Sequence, residues 1–221
     1  SPNYATDSMV LVADGTTTSG RSTSGGEYWS TSISTGAVKH FYFSPNYTTD
    51  QTVYAASSCR CMKSTDRGST FSQSNTGLPT SGAANNIVVS PNYNTDGTLF
   101  VSTQSGVYKT TDSAANWSLS SSFDINTGNI YAMAISPSYG SDSTVFAGGI
   151  WYSSNGGSIR KTTDGGSNWS LVQSGIKGME IGKVVLSPYY TTDNTIFAIA
   201  SGYTISFVYK STDKGSSWTA Y

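Results

Sequence analysis

The sequence predicts an all-β chain that folds as a five-bladed β-propeller of four-stranded antiparallel blades. Two phrases that recur together, and the short strands between them, predict this fold. The first phrase, Ser-Pro-X-Tyr-X-X-Asp, begins at residues 1, 44, 90, 136 and 187. A period of about 40 to 50 residues is typical of solenoids, propellers and arrays. We therefore interpret residues 1–221 as a single propeller domain of five repeats.

A second phrase, Ser/Thr-X-Asp-X-Gly-X-X-Trp/Phe, follows the first in every repeat. Its good copies occupy 64–71, 110–117, 162–169 and 211–218, and a degenerate copy occupies 22–29. In the third repeat, segments with β-branched and aromatic residues predict four successive strands at 86–89, 98–102, 106–109 and 117–119. The Ser-Pro phrase then forms the turn between the first two strands, and the second phrase forms the turn between the last two. No segment shows a helical period.

The first repeat departs from this scheme because it begins directly at the Ser-Pro phrase. The strand that precedes this phrase in the other repeats is missing, so we expect the first blade to lack its inner strand within this chain. A strand position without a partner is an open edge. We expect further sequence or a neighbouring chain to complete the blade.

Composition excludes several classes of partner. Charged residues make up 11% of the chain and the net charge is −1, so no basic stripe is present for nucleic acid. No apolar run is long enough to insert into a membrane. Abundant Ser, Thr, Gly and Asn, with sequons at Asn46, Asn116 and Asn168, favour an extracellular or cell-surface location. With one histidine, His40, and two cysteines, Cys59 and Cys61, we predict no metal ion and no cofactor.

The second phrase resembles the Asp-box, or BNR repeat, of sialidases, xyloglucanases, sortilin-type receptors and photosystem assembly propellers. The resemblance covers all five repeats, with departures at Ser24 for Asp, Ala114 for Gly and Phe71 for Trp. It implies a propeller in which the box is a structural turn at the periphery, away from the ligand. These departures raise the question of whether the three turns stay regular.

Physical chemistry explains the composition of the box. A carboxylate at a hairpin turn accepts backbone N–H groups, Gly tolerates positive φ, and the aromatic residue returns the chain to the space between sheets. We therefore predict structural roles for nine acidic residues in the two phrases: Asp7, Asp50, Asp66, Asp96, Asp112, Asp142, Asp164, Asp193 and Asp213. Four acidic residues lie outside these roles: Asp14, Glu27, Asp124 and Glu180.

Strand connectivity places both phrases on one face of an up-and-down blade, so the loops that vary lie on the other. Variable loops on a repeated scaffold are where function is normally located. Aromatic side chains there suit sugar rings, and acidic groups accept their hydroxyl protons. The candidate ligand-binding residues are Trp151, Tyr152, Tyr203, Phe123, Asp124 and Glu180.

Catalysis is less well supported by the sequence than binding. The sialidases that the box resembles use three arginines and a Tyr nucleophile, and the four arginines of this chain do not assemble such a set. Glycosidases need two carboxyl groups that flank the bond, and no spacing pairs Asp124 with Glu180. We therefore predict no catalytic residue and favour a non-enzymatic binding or scaffold module with a glycan or protein ligand. A structural subunit of a cell-surface or fibre assembly and a sialidase-like or glucanase-like hydrolase are the alternatives.

Overall fold

The structure is a computed structural model, and it describes residues 1–16, 19–30, 36–121, 128–151, 156–176, 180–202 and 205–221. Within these ranges the strands form five antiparallel sheets, each drawn from one repeat. The first sheet holds β1 (Val10–Val12) and β2 (Gly20–Ser22). The second holds β3 (Val38–Phe43), β4 (Val53–Ser57), β5 (Arg60–Ser64) and β6 (Ser72–Gln73). The third holds β7 (Ala84–Val89), β8 (Leu99–Thr103), β9 (Gly106–Thr110) and β10 (Ser118–Ser121).

The last two sheets follow the same plan. The fourth holds β11 (Gly128–Ile135), β12 (Val145–Trp151), β13 (Gly156–Thr162) and β14 (Ser170–Leu171). The fifth holds β15 (Glu180–Leu186), β16 (Ile196–Ser201), β17 (Ser206–Ser211) and β18 (Thr219–Ala220). In every four-stranded sheet the strands lie side by side in chain order. The all-β architecture of four-stranded antiparallel blades is therefore confirmed.

In the part of the chain that the structure describes, the first sheet has no inner strand, as predicted. Its strands β1 and β2 correspond to the second and third strands of the other sheets, and Arg21 of β2 pairs with Ser30 through a single bridge. That bridge occupies the place of the outer strand. The first blade is thus partial within this chain.

The Ser-Pro phrase differs from the predicted plain turn, because each copy forms one turn of helix. These turns are α1 (Tyr4–Asp7), α2 (Tyr47–Asp50), α3 (Tyr93–Asp96), α4 (Tyr139–Asp142) and α5 (Tyr190–Asp193). A left-handed residue ends each turn, with φ of +54° at Gln51 after α2. Four residues are too few to show a helical period, so the sequence pattern gave no sign of them.

Side-chain hydrogen bonds hold each helical turn in the same way. Ser44 Oγ donates to Asp50 Oδ2 at 2.6 Å, and the Thr52 amide donates to Asp50 Oδ1 at 2.8 Å. The same two bonds recur at the other four copies of the phrase. The structural role predicted for the aspartates of this phrase is confirmed.

The chain forms two compact units, 1–103 with 109–118, and 104–108 with 119–221. In the first unit, Tyr54 is fully buried and its ring meets Tyr93 of α3 edge-on, at 6.1 Å between centroids. In the second unit, Phe146 is fully buried and meets Tyr190 of α5 in the same geometry, also at 6.1 Å. In both units, the Tyr of the Ser-Pro phrase therefore packs against the second strand of the preceding sheet. No helix in the described part of the chain is long and apolar enough to cross a membrane.

Candidate functional site

The turn between the third and fourth strands, which we call the acidic turn, is held by its own Asp. In the last sheet, Asp213 Oδ1 accepts the Ser217 amide at 2.9 Å, and Asp213 Oδ2 accepts the Ser217 hydroxyl at 2.6 Å. Ser211 Oγ donates to Asp213 Oδ1 at 2.7 Å and accepts the Gly215 amide at 2.9 Å. The hydrogen bonds from Ser217, and then that from Ser211, lower the pKa of Asp213 to about 2. This carboxylate is committed to the turn, which makes it unsuitable for acid–base chemistry near neutral pH.

The two departures inside the turn are accommodated. Ser24, in place of Asp, accepts the Tyr28 amide at 2.9 Å through its hydroxyl. Ala114, in place of Gly, adopts φ of +70° and is fully buried. A left-handed Ala costs roughly 1–2 kcal/mol, so the surrounding turn holds this conformation against strain. The regularity that these substitutions put in question is retained.

The aromatic residue of the turn connects neighbouring sheets, as predicted. Trp117 is 5% exposed and its Nε1 donates to the Ser74 carbonyl at 2.8 Å, just beyond β6 of the preceding sheet. Trp218 is 5% exposed and its Nε1 donates to the Val172 carbonyl at 2.8 Å, just beyond β14. Both Trp residues thus combine burial with a satisfied polar atom.

A third contact between sheets was not found from the sequence. The cation that precedes the acidic turn reaches the next sheet and donates to the carbonyl of a left-handed residue in its acidic turn. These bonds run from Arg21 Nε to Arg67 at 2.9 Å, from Lys63 Nζ to Ser113 at 2.9 Å and from Lys161 Nζ to Lys214 at 3.2 Å. The signal was present in the sequence as a basic residue directly before the first residue of the acidic turn, at Ser22, Ser64 and Thr162.

The inner strand of each complete sheet carries a β-bulge at the same repeat position. The register shifts between Val38 and His40, and an equivalent shift occurs in β7, β11 and β15. The bulged residues are Lys39, Asn85, Tyr131 and Gly182, each five residues before the Ser that opens the Ser-Pro phrase. We call these four positions the bulge row. Bulges re-aim side chains and are frequent next to binding sites.

The bulge row lies at the variable-loop end of the sheets. Val38, next to the first bulge, pairs with Ser57, the last residue of β4 before its turn. In the third sheet, Ala84 pairs with Thr103, the last residue of β8. The opposite end of each inner strand leads into the Ser-Pro phrase. Each bulge therefore sits beside the loops that differ between repeats.

In the first unit, the bulges begin a cluster of polar side chains. Lys39 Nζ donates to Asn85 Oδ1 at 2.5 Å, and the Tyr42 hydroxyl donates to Asn86 Oδ1 at 2.5 Å. The His40 ring lies 6.2 Å from that of Tyr42. Lys39 stays exposed, and partial desolvation lowers the pKa of its ammonium.

The cluster supplies hydrogen-bond donors. Burial raises the pKa of Tyr42 to about 12, so its hydroxyl keeps its proton at physiological pH. Asn85 and Asn86 are 5% and 2% exposed, and their amide groups have fixed partners. An exposed ammonium beside amide and hydroxyl groups can bind a ligand with oxygen acceptors.

In the second unit, the same positions present different surfaces. Tyr131 is half-buried, and Gly182 is exposed. A Cβ placed on Gly182 would meet no atom within 4 Å, so the backbone there faces open space. The bulge row therefore repeats a backbone geometry while its side chains change from Lys to Asn, Tyr and Gly.

Two of the six predicted ligand-binding residues fall on described backbone. Trp151 ends β12, where it pairs with Gly128 and Gly156 at the variable-loop end of the fourth sheet. Glu180 begins β15, pairs with Ser201 and is half-buried, two residues before the bulge at Gly182. The other four lie outside the described residues: Phe123, Asp124, Tyr152 and Tyr203.

The two cysteines are both free thiols. Cys59 lies in the turn between β4 and β5, and Cys61 is fully buried in β5. Burial raises the pKa of Cys61 to about 12, so its thiol is inert as a nucleophile. In the described part of the chain, no group of three or more His, Cys, Asp or Glu side chains is arranged to hold a metal ion.

Comparisons with known proteins identify the fold. No family model and no curated protein sequence matches the chain. Among solved structures, the GH74 xyloglucanase from Xanthomonas campestris matches 92% of the chain with a TM-score of 0.67 at 18% identity. The extracellular domain of a putative one component system from B. thetaiotaomicron matches 92% with a TM-score of 0.66 at 9% identity. YCF48 bound to D1 peptide matches 92% with a TM-score of 0.59 at 16% identity.

The chain is shorter than each of these proteins. It spans 34% of the xyloglucanase, 26% of the extracellular domain from B. thetaiotaomicron and 61% of YCF48. At these identities the likeness is one of fold. Together with the sheets described above, it shows that the chain is a β-propeller with a partial first blade.

Proposed function

We propose that this chain is a non-enzymatic, extracellular binding module whose ligand lies at the variable-loop end of the inner strands. The observation that carries the proposal is the bulge row: four inner strands share one irregular backbone position but differ in its side chain. Residues that differ on a shared scaffold are where specificity is built. We further propose that the acidic turns are Asp-boxes with a structural role, which leaves this end of the sheets for the ligand.

Carbohydrate is the ligand class that we propose first. Trp151, Tyr152, Tyr203 and Phe123 would offer ring faces to sugar C–H groups, and Asp124 and Glu180 would accept hydroxyl protons. These aromatic residues do not recur at equivalent repeat positions, which favours one asymmetric site over five equal pockets.

A glycan array with point variants tests this proposal. We expect binding by the wild-type chain and its loss on Trp151→Ala and Glu180→Gln, at two residues of the second unit. Lys214→Gln is the matched control, because it removes an exposed Lys from an acidic turn at the opposite end of a sheet. Binding that falls equally in Glu180→Gln and Lys214→Gln would place the ligand elsewhere.

Peptide is the second candidate ligand. One solved neighbour is described as YCF48 bound to D1 peptide. In this chain, the exposed Lys39 ammonium, bonded to the Asn85 amide rather than a carboxylate, favours a ligand with an anionic group. A panel of acidic and neutral peptides, run on the wild type, Lys39→Gln and Lys214→Gln beside the glycan array, separates the two ligand classes.

The hydrolase alternative has its own readout. The xyloglucanase neighbour shares the fold at 18% identity, so its activity does not transfer by likeness. Release of a fluorogenic leaving group from sialoside or glucan substrates would assign an enzyme if Asp124→Asn or Glu180→Gln abolished it. Turnover in neither assay, together with glycan or peptide binding, is the result that we expect.

A further inference from the structure

A groove between the fourth and fifth sheets collects ammonium and hydroxyl groups. Its volume is about 230 Å³, and all of its residues belong to the second compact unit. They come from the Ser-Pro phrases and the acidic turns, so the groove lies at the end of the sheets opposite the bulge row. Its lining includes two lysines, two threonines, a tyrosine and an aspartate: Lys161, Lys214, Thr163, Thr191, Tyr190 and Asp142. We call this space the lysine groove.

The two ammonium groups of the lysine groove lie close enough to repel each other. Lys161 is half-buried over the Phe146 ring, with Nζ 5.6 Å from the ring centroid, and it donates to the Lys214 carbonyl at 3.2 Å. Burial, and then the charge of Lys214, lowers the pKa of the Lys161 ammonium. Lys214 is exposed, and within the described ranges its ammonium has no hydrogen-bond or ion-pair partner.

The carboxylate of the groove offsets this charge only in part. Asp142 Oδ2 accepts the Ser136 hydroxyl at 2.6 Å, and Asp142 Oδ1 accepts the Thr144 amide at 2.9 Å, as in the other copies of the Ser-Pro phrase. In the part of the chain that the structure describes, neither lysine forms an ion pair with Asp142. Two ammonium groups beside one carboxylate leave positive charge in excess, which favours an anion in the groove.

The Tyr190 hydroxyl is a buried donor, and among the described residues it has no hydrogen-bond partner. Tyr190 is 2% exposed. Its counterpart Tyr93 shares a hydrogen bond of 2.6 Å with the Tyr54 hydroxyl, but Phe146 takes the place of Tyr54 against Tyr190. Burial raises the pKa of Tyr190 to about 12, so the hydroxyl keeps its proton. Buried polar side chains nearly always have a partner, so this donor indicates that a ligand acceptor binds in the groove.

This combination of groups is specific to one pair of sheets. The residues at the turn position of Lys214 differ in the other complete sheets: Arg67, Ser113 and Gly165. Of these only Arg67 is a cation, and the Tyr of the same repeat, Tyr47, already donates to Asp7 Oδ2 at 3.2 Å. A structural role that all repeats share therefore explains neither Lys214 nor the Tyr190 hydroxyl.

We propose that the lysine groove binds a tetrahedral oxyanion, the phosphate or sulfate group of a small ligand. Lys161 and Lys214 would donate charge-assisted hydrogen bonds to it, and the Tyr190 hydroxyl would donate a third. Thr163 and Thr191 are exposed at the groove and would add hydroxyl donors. An oxyanion with several acceptor oxygens suits a site in which donors come from two sheets. This inference does not rest on the proposed ligand at the variable-loop end, since it uses no residue of the bulge row.

A titration followed by amide NMR tests the proposal, because this measurement detects weak binding and also locates it. The isotope-labelled chain is titrated with inorganic phosphate, inorganic sulfate or chloride at one ionic strength. We expect the amide signals of Thr163, Thr191 and Lys214 to shift and saturate with phosphate and sulfate but not with chloride. Lys214→Gln and Tyr190→Phe should each weaken binding about tenfold or more, the value of one hydrogen bond to a charged group.

Lys183→Gln is the matched control. It removes an exposed Lys from β15 in the same unit, outside the groove, and should bind phosphate as the wild type does. Without phosphate, Tyr190→Phe should keep the wild-type urea midpoint, because the hydroxyl that it removes has no partner among the described residues; this separates a lost ligand contact from a damaged fold. The proposal would be overturned by a wild-type chain without saturable shifts, or by equal binding in Lys214→Gln and Lys183→Gln.

Two sugar esters identify the source of the anionic group. Binding of a glucose phosphate or a glucose sulfate that is about tenfold tighter than that of the inorganic ion would assign an esterified sugar, and equal binding would assign the free ion. On the glycan array, a ligand held in the lysine groove should be lost in Lys214→Gln and kept in Glu180→Gln. A ligand at the variable-loop end should show the reverse, so the failure of one proposal is distinguishable from the failure of the other.

Discussion

Gly175→Ala should lower the free energy of unfolding, because both the backbone conformation and a neighbouring carbonyl oppose a Cβ at this position. Gly175 lies in the loop after the fourth sheet, with φ of +97°. A Cβ built there would stand 2.2 Å from the Trp218 carbonyl oxygen, closer than non-bonded atoms approach. The loop cannot keep its place, because backbone rather than a flexible side chain blocks the added methyl.

Two effects lower the free energy of unfolding in this variant. Ala at positive φ is strained by roughly 1–2 kcal/mol. Moving the loop also breaks the hydrogen bond from the Trp218 amide to the Ser174 carbonyl, 2.8 Å long, for about 0.5–1.5 kcal/mol. We therefore expect Gly175→Ala to lower the free energy of unfolding by about 1.5–3.5 kcal/mol, measured by urea denaturation at equilibrium.

Gly182→Ala is the control for this substitution. Gly182 belongs to the same compact unit, its φ is not positive, and an added Cβ meets nothing within 4 Å. We expect its free energy of unfolding to stay within about 0.5 kcal/mol of wild type, or to rise slightly as Ala restricts the unfolded chain. Equal losses in the two variants would refute the reasoning from left-handed geometry and backbone contact.

Three further predictions concern the turns, the core and the thiols. Stability should fall as the pH drops from about 4 to about 2, because the pKa of Asp213 is about 2 in the folded chain against 3.8 for a free carboxyl. Its contribution is complete above the unfolded pKa and is lost as the folded group protonates, so Asp213→Asn should flatten the dependence of the urea midpoint on pH. Tyr54→Phe should cost about 1–3 kcal/mol in urea denaturation, because it leaves the buried hydroxyl of Tyr93, 2.6 Å away, without that partner. Iodoacetamide should alkylate Cys59 in the folded chain and spare Cys61, as peptide mass mapping would show, because burial raises the pKa of Cys61 to about 12.

Each of these predictions has a result that contradicts it. An Asp213→Asn variant with the pH dependence of the wild type would show that the turn carboxylate does not couple folding to protonation. Tyr221→Phe, at a residue that is 79% exposed, should be neutral, and a Tyr54→Phe variant of equal stability would contradict the role of the buried hydroxyl pair. Alkylation of Cys61 as fast as Cys59 in native buffer would mean that β5 opens readily, whereas both thiols should react in denaturant.

The sheets could be predicted because their signals are local. The prediction of a strand at 98–102 differs by one residue from β8, Leu99–Thr103, since β-branched and aromatic residues mark the segment. The acidic turn could be predicted for the same reason, because its Asp accepts hydrogen bonds from residues only three or four positions away. The helical turns were missed since four residues with a left-handed end carry no periodic pattern.

Contacts between sheets could be predicted only in part. The burial of the turn Trp follows from its size, and the structure agrees at Trp117 and Trp218. The bond from Lys63 to the Ser113 carbonyl joins residues 50 positions apart, and its acceptor is a backbone atom. Any residue supplies a carbonyl, so no side chain in the sequence marks the receiving position.

The bulge row shows why the candidate site is the least predictable part of this fold. A search for repeats aligns positions that share a side chain, whereas Lys39, Asn85, Tyr131 and Gly182 share only a register shift. The strand geometry sets that shift, since an extra residue opposes the partner strand near its turn. Connectivity alone could indicate the end of the sheets that carries the variable loops. The position of the candidate site within that end can be found only when the pairing of each strand is known. Side chains that differ from one repeat to the next leave no repeated motif in the sequence.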